Sequence, residues 1–213
     1  MPNKIISRIG GVDIYWDGKD LTFTAAFACD GDGSPRCYSS LSSSAGLDSW
    51  ASACYPDEPE NYQNILVCDK HGKPIAQDGK TLAQPAKDFF ISQTTYQRKQ
   101  YAEDDCRRYL DAENIAYIVL PKKIIMALPG VFIGCQAEVT NKRTGKTFNA
   151  VTGDEGPDNK IGEGSIRLIH DLGFPKASPR NSVEDKIFFY RVTPNVAAYA
   201  SGEKFELQPR VKS

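Results

Sequence analysis

The stretch TFNAVTGDEGPDNKIGEGSIRLIHDLG, residues 147–173, carries the pattern on which the fold and the candidate chemistry depend. It begins with a strand-like run, continues through a turn rich in glycine and proline, and ends with a helix-like run. Asp154 follows the strand directly, and Glu163 stands at the start of the helix. Pro157 fixes its own φ and Gly162 permits positive φ, so the chain can fold back between the acids. The stretch therefore predicts two carboxyl groups on opposite sides of one cleft.

The helix-like end of this stretch has its own start and stop signals. Ile166, Ile169 and Leu172 fall on one face of a helix. Gly173 follows them as a stop signal. Ser165 is expected to cap the N-terminus of the helix rather than act as a nucleophile, because no His–acid partner set accompanies it.

Outward from this stretch, strand-like segments outnumber helical ones, and no internal repeat appears. The segments are VDIYW (12–16), LTFTAAFA (21–28), NILVCD (64–69), DFFISQTTY (88–96), IAYIVLP (115–121), GVFIGCQAEVTN (130–141), TFNAVTG (147–153) and DKIFFYRVT (185–193). We therefore predict a mainly β fold in a single domain, residues 1–213, with a few short helices. A barrel is the expected core because it hides strand edges.

The overall composition excludes two classes of partner. A net charge of −1 and a pI near 6.2 argue against a general nucleic-acid binder. No apolar run approaches the roughly 20 residues that a membrane-spanning helix needs. The N-terminal segment, residues 1–18, lacks the apolar core of a secretory signal. Either the protein is not exported by that route, or a leader was trimmed and replaced.

Six cysteines are many for a cytosolic protein. Their even number favours disulfides and an extracellular or exported location, with Cys29–Cys37 as the easiest local loop and the other pairings open. The alternative is a set of buried free thiols. Because no CxxC pair occurs and only two histidines are present, we expect no metal site.

Two carboxyl groups at a controlled separation suit glycoside hydrolysis. One gives a proton to the departing oxygen and the other takes a proton from water. Inversion of configuration needs a gap of about 6.5–9.5 Å between them. The structural alternative is that Asp154 bonds its own turn and Glu163 only complements the helix dipole. Acids in turns are common, so composition alone favours this alternative.

The acidic turn resembles the signature of glycoside hydrolase family 75, the chitosanase family first described from fungi. The similar segments are GDEGPDNKIGEGSI (153–166), ACDGDGSPRC (28–37), DKHGKPIAQ (69–77), FFISQTTY (89–96) and IAYIVLP (115–121). They follow the family order, so the likeness covers about residues 21–191. It implies a double-psi β-barrel that cleaves β-1,4-linked glucosamine polymers without a cofactor. By position, Asp154 and Glu163 are the implied essential acids.

The resemblance also implies contacts with the sugar chain. Asp30 is either a turn former or a substrate contact, because the acid spacing around it stops short of a calcium loop. Gln93 and Thr94 are expected to line the cleft. Glu155 and Asp158 are expected either to pair with glucosamine ammonium groups or to be solvated turn acids.

The chain departs from the family at positions that commonly hold acids. Ala25, Ala26 and Ala28 stand there, which predicts the loss of part of a chitosan-binding surface. For the roles of the two acids, desolvation behind an apolar strand is expected to keep Asp154 protonated, as the general acid. Glu163, near a helix N-terminus, is expected to stay ionised, as the base.

Three functions stay open at this point. The first is an endo-acting, inverting hydrolase of chitosan. The second is a hydrolase of peptidoglycan glycan strands, or an antibacterial cell-wall effector, which would fit export without a leader. The third is a non-catalytic carbohydrate-binding barrel, which would have no need of both acids. In each case we expect a monomer that binds a polysaccharide.

Overall fold

The computed structural model describes residues 4–77 and 87–209, and six strands of this part close a barrel. The strands in chain order are β1 (Lys4–Ile9), β2 (Val12–Trp16), β3 (Leu21–Asp30), β4 (Tyr117–Pro121), β5 (Cys135–Asn141), β6 (Thr147–Gly156), β7 (Glu163–Ser165), β8 (Val183–Ala197), β9 (Tyr199–Ala200) and β10 (Glu203–Lys204). Around the barrel the order is β3-β7-β4-β6-β5-β8, and β8 pairs back onto β3. The pairs β3–β7 and β4–β6 are parallel. The predicted mainly β, single-domain barrel is confirmed.

Helices are short in the described part of the chain. They are α1 (Pro59–Tyr62), α2 (Lys122–Ala127), α3 (Ile166–Asp171) and a 3₁₀ turn (Cys106–Arg108). Among the residues described, no helix has the length and apolar character to cross a bilayer. The predicted cap of α3 is confirmed, because the Ser165 hydroxyl accepts a hydrogen bond from the Leu168 amide at 3.2 Å.

The barrel core follows from alternation along its strands. In β3, every second residue from Leu21 to Phe27 is buried and its neighbours are partly exposed, as a strand with one core face requires. Phe23 stacks on Tyr190 of β8 with ring centroids 4.6 Å apart. By contrast, all five residues of β4 are buried, because a long segment of chain covers its other face.

That covering segment comes from the connection between β3 and β4, of which the structure describes residues 31–77 and 87–116. Its strand-like runs at 64–69 and 88–96 form isolated bridges instead of the predicted strands. The reason is a change of partner after each residue or two: the Ile91 amide bonds Ile75, while the Ile91 carbonyl accepts from Val67. A continuous ladder cannot build on such pairing. The segment is held by two small hydrophobic clusters of its own.

The cysteines differ from the predicted disulfide framework. All six lie in the described part of the chain, and all six are free thiols. They are divided among separate packing environments: Cys135 lies in the barrel core, Cys37 in one cluster of the covering segment and Cys106 in another. The local pair Cys29–Cys37 is divided in the same way, since Cys29 belongs to the barrel core. The extracellular location therefore stays a prediction without support from disulfides.

Candidate functional site

The two candidate catalytic acids lie on either side of β4. Val119 of β4 has Asp154 of β6 as its partner on one side and Glu163 of β7 on the other. Partners in register on neighbouring strands direct their side chains to the same face of a sheet. Neighbouring strands are about 4.8 Å apart, so roughly 10 Å separates the two backbones. Both acids are half-buried, so each is partly accessible to solvent.

A glycine in β6 brings Asp154 into this position. The pairing with β4 steps from Ile118–Thr152 to Val119–Asp154, so Gly153 is an extra residue, a β-bulge. A Cβ atom at Gly153 would lie 2.7 Å from the Cβ of Tyr117, closer than such atoms approach. Only glycine fits this bulge, and the bulge turns the carboxyl group of the next residue toward the candidate site.

Asp154 accepts hydrogen bonds from several donors. Its Oδ1 accepts from the Thr95 amide at 2.8 Å, the Thr95 hydroxyl at 2.6 Å and the Glu155 amide at 2.8 Å. Burial raises the pKa of Asp154 to about 6, and these donors act in the opposite direction because they favour the ionised form. The carboxyl group is therefore ionised at neutral pH and becomes protonated in mild acid.

Glu163 has fewer stabilising partners. Burial raises its pKa to about 7, with a further contribution from the charge of Asp154, while Lys160 lowers it. Its Oε2 lies 3.7 Å from where a Cβ of Gly156 would be, so that glycine leaves space next to the carboxyl group. This direction differs from the expectation that a nearby helix keeps Glu163 ionised. The helix is only six residues long, and Ser165 already bonds its first turn.

Two further acids lie beside Asp154. Asp30 and Asp32 each offer a carboxylate oxygen, and these two oxygens and one of Asp154 lie within 4.8 Å of one another. Burial raises the pKa of Asp32 to about 8, and the charge of Asp154 adds to this effect. The Ser92 hydroxyl donates to Asp32 at 2.9 Å, and this hydrogen bond lowers the pKa of Asp32. Burial also raises the pKa of Asp30 well above its usual value. The cluster therefore holds protons at neutral pH.

Carboxylate oxygens at such a spacing are a donor set for hard cations such as Ca²⁺. Within the described residues, nothing besides the three carboxyl groups indicates an ion at this place. We therefore assign no metal to the cluster and treat Asp30 as a neighbour of the candidate acids.

Gln93 and Thr94 both make hydrogen bonds within the segment between β3 and β4. The Gln93 side-chain amide donates to the main-chain carbonyl of Gln63 at 2.9 Å. Thr94 is only 2% exposed. Its hydroxyl donates to the Tyr96 carbonyl at 2.9 Å and accepts from the Leu110 amide at 3.1 Å. Thr94 therefore anchors its loop internally and does not line a cleft.

The turn acids also have separate positions. The Glu155 side chain lines a mostly apolar cavity of about 480 Å³ together with Met126 and Phe132. Asp158 accepts a hydrogen bond from the Lys123 amide at 2.8 Å, at the N-terminus of α2. This contact agrees with the structural interpretation of Asp158 rather than with pairing to a sugar ammonium group.

Sequence reasoning missed two residues that contact the site. Thr95 donates twice to Asp154, and Asp32 lies within reach of the same carboxyl group. Both come from the segment between β3 and β4, where no regular pattern indicates which side chains point inward. For Thr95, the available signal was the strand-like run at 88–96, in which neighbouring side chains alternate between two sides.

In comparisons with known proteins, no family model matches the chain, and no curated protein matches it either. The likeness to glycoside hydrolase family 75 therefore stays a prediction. The geometry around Val119 is what brings the two candidate acids to one face of the barrel.

Proposed function

We propose that this protein is an inverting, endo-acting glycoside hydrolase that cleaves β-1,4-linked amino-sugar polymers. The observation that carries the proposal is the placement of Asp154 and Glu163 on one face, as the two register partners of Val119. With one strand between them, the two backbones are about 10 Å apart. This spacing is compatible with the gap of about 6.5–9.5 Å between carboxyl groups that leaves room for a water molecule.

The environments of the two acids support different roles. Glu163, with a pKa raised to about 7, still carries a proton near neutral pH and serves as the general acid. Asp154 has a pKa of about 6 and a carboxylate oxygen that accepts from Thr95, so it serves as the base for water. This assignment reverses the roles expected from the sequence, because among the residues that the structure describes the hydrogen-bond donors lie at Asp154 and not at Glu163.

The charge around the site supports a cationic substrate. Asp30, Asp32 and Asp154 form a concentrated acidic cluster. Asp154 is ionised at neutral pH, and an ammonium group next to Asp30 and Asp32 would favour their ionised forms, so a bound cationic sugar would displace their protons. Chitosan carries an ammonium group on each deacetylated sugar, so it is the polymer that this proposal favours.

A second candidate, cleavage of peptidoglycan glycan strands, is favoured by one observation. Ala28 of β3 is the register partner of Glu163, so an uncharged residue lies directly beside the proposed acid. The family commonly has acids in this part of the chain. A neutral neighbour suits an acetylated, uncharged sugar better than an ammonium group.

An assay on both polymers tests the proposal. The purified chain is incubated separately with chitosan of low acetylation, chitosan of high acetylation and peptidoglycan, and new reducing ends are counted. We expect release from chitosan, fastest at low acetylation. Release of reducing ends from peptidoglycan alone would favour the second candidate. No release from any of the polymers would contradict the proposal that the protein is a glycoside hydrolase.

The pH dependence of kcat/KM is expected to be bell-shaped. The base must be ionised, so activity falls as the pH drops through about 6, the pKa of Asp154. The acid must be protonated, so activity also falls as the pH rises through about 7, the pKa of Glu163. Initial rates at fixed low substrate from pH 4 to 9 measure this. A profile that keeps rising above pH 8 would contradict the role given to Glu163.

A further inference from the structure

We propose that Thr95 is a positioning residue that directs the Asp154 carboxylate for catalysis; this inference rests on the proposed function. The Thr95 amide and hydroxyl both donate to Oδ1 of Asp154, at 2.8 and 2.6 Å. The same hydroxyl oxygen accepts from the Glu155 amide at 3.1 Å. One residue therefore fixes the carboxylate with a main-chain donor and a side-chain donor.

This arrangement gives the two oxygens of Asp154 different tasks. Oδ1 already accepts three hydrogen bonds, two from Thr95 and one from the Glu155 amide. An oxygen with three donors is a poor proton acceptor, because its lone pairs are engaged. The proton from the attacking water is therefore taken up by Oδ2, and the hydroxyl oxygen of that water bonds to the sugar carbon. The bond from that carbon to the leaving oxygen breaks, and the leaving oxygen takes its proton from Glu163.

Thr95 also joins two parts of the fold at the candidate site. It belongs to the segment between β3 and β4, whereas Asp154 belongs to β6. The neighbouring Tyr96 amide donates to the Gly153 carbonyl at 2.9 Å, so two consecutive residues of the loop bond two consecutive residues of the strand. Thr94 faces inward and is buried, while Thr95 is exposed to solvent. A residue with only a packing role would be expected on the inner side.

The titratable groups near Asp154 come from four other elements and from its own strand. Tyr117 of β4 is one of them, since the charge of Asp154 contributes to the raised pKa of its phenol. Asp30 lies at the end of β3 and Asp32 follows it, and both carboxyl groups are within 4.8 Å of Asp154. Glu163 of β7 lies across β4. Glu155 is the neighbour on the same strand and raises the pKa of Asp154 further. All of these groups are acids, so Thr95 supplies donors where its charged neighbours supply only repulsion.

The test compares Thr95→Val with Thr95→Ser. Valine keeps the shape and the main-chain donor but removes the hydroxyl, whereas serine keeps the hydroxyl. Loss of a donor to the ionised form raises the pKa of Asp154. We expect the acidic limb of kcat/KM to move up by about 0.5–1 pH unit in Thr95→Val, because one hydrogen bond of three is lost. At pH 5 kcat falls by roughly three- to tenfold, as that displacement requires, with KM little changed. Thr95→Ser keeps the wild-type profile.

A measurement without substrate separates this inference from the proposed function. The side-chain ¹³C resonance of Asp154, assigned from its loss in Asp154→Asn, is titrated by NMR in both Thr95 variants. A higher pKa of Asp154 in Thr95→Val, with no such rise in Thr95→Ser, supports the inference. An unchanged pKa in Thr95→Val, or the same rise in Thr95→Ser, overturns it while leaving the hydrolase proposal intact. A raised pKa in a chain inactive on every polymer overturns the proposed function, and the catalytic role of Thr95 with it.

Discussion

Glu163→Gln and Asp154→Asn are each expected to lower kcat on the polymer by about 10²–10⁴-fold, the usual contribution of a general acid or base. Neither amide can carry the proton that its role requires. Both variants are expected to stay folded, because burial already disfavours the charged form of each acid. An amide at position 154 still offers an oxygen to the Thr95 donors. Reducing-end release and thermal melting of the same samples measure the two effects.

Glu155→Gln is the matched control for this pair. It makes the same chemical change one residue from Asp154, on a side chain that lines a different cavity. We expect it to retain most of the activity. If it is as inactive as Asp154→Asn, or if the two site variants melt early yet remain active, the acids have a structural role and the hydrolase proposal is wrong.

A substrate with a better leaving group distinguishes the acid from the base. A dinitrophenyl glycoside departs without protonation, so it does not need a general acid. Glu163→Gln is therefore expected to recover much of its lost rate on such a substrate. Asp154→Asn is expected to remain slow, because water still needs a base. Recovery in Asp154→Asn instead would restore the assignment predicted from the sequence.

The barrel was predictable because its strands carry strong local signals. The alternation in β3 indicates one buried face, and the continuous apolar run of β4 indicates two. Both patterns can be recognised without reference to the rest of the chain. The turn between Asp154 and Glu163 was predictable for a similar reason, since Pro157 fixes its own φ and Gly162 permits the positive φ that it adopts.

The covering segment could not be predicted to the same depth. Its isolated bridges change partner within one or two residues, so no period develops in the sequence. Thr94 and Thr95 illustrate the consequence. Both are threonines in an extended run, and only the tertiary structure decides which of them faces inward. The disulfide prediction fails for a related reason, because the number of cysteines carries no information about which of them become neighbours.

The second large effect concerns stability: Asp32→Asn is expected to stabilise the fold at alkaline pH. The pKa of Asp32 is raised to about 8 by burial and by the charge of Asp154, from an ordinary value of 3.8 in the unfolded chain. Between these values the folded state keeps a proton that the unfolded chain has released. The free energy of unfolding therefore falls as the pH rises through this window. Asparagine cannot ionise, and its side-chain oxygen can still accept from Ser92.

The gain in the free energy of unfolding from Asp32→Asn must consequently grow with pH. A change in packing alone would give the same gain at every pH, so the pH dependence distinguishes the two causes. One pKa unit corresponds to about 1.4 kcal/mol, so we expect a gain of at least about 2 kcal/mol at pH 8 and almost none at pH 4. Denaturant unfolding at pH 4, 6 and 8 measures the difference. Asp104→Asn, at an exposed position, makes the same change in charge and is expected to stay within about 0.5 kcal/mol of wild type. A gain in stability that is equal at all three pH values, or a loss at pH 8, would show that ionisation of the acidic cluster does not destabilise the fold. The proposed attraction of the cluster for a cationic sugar would then lose its physical basis.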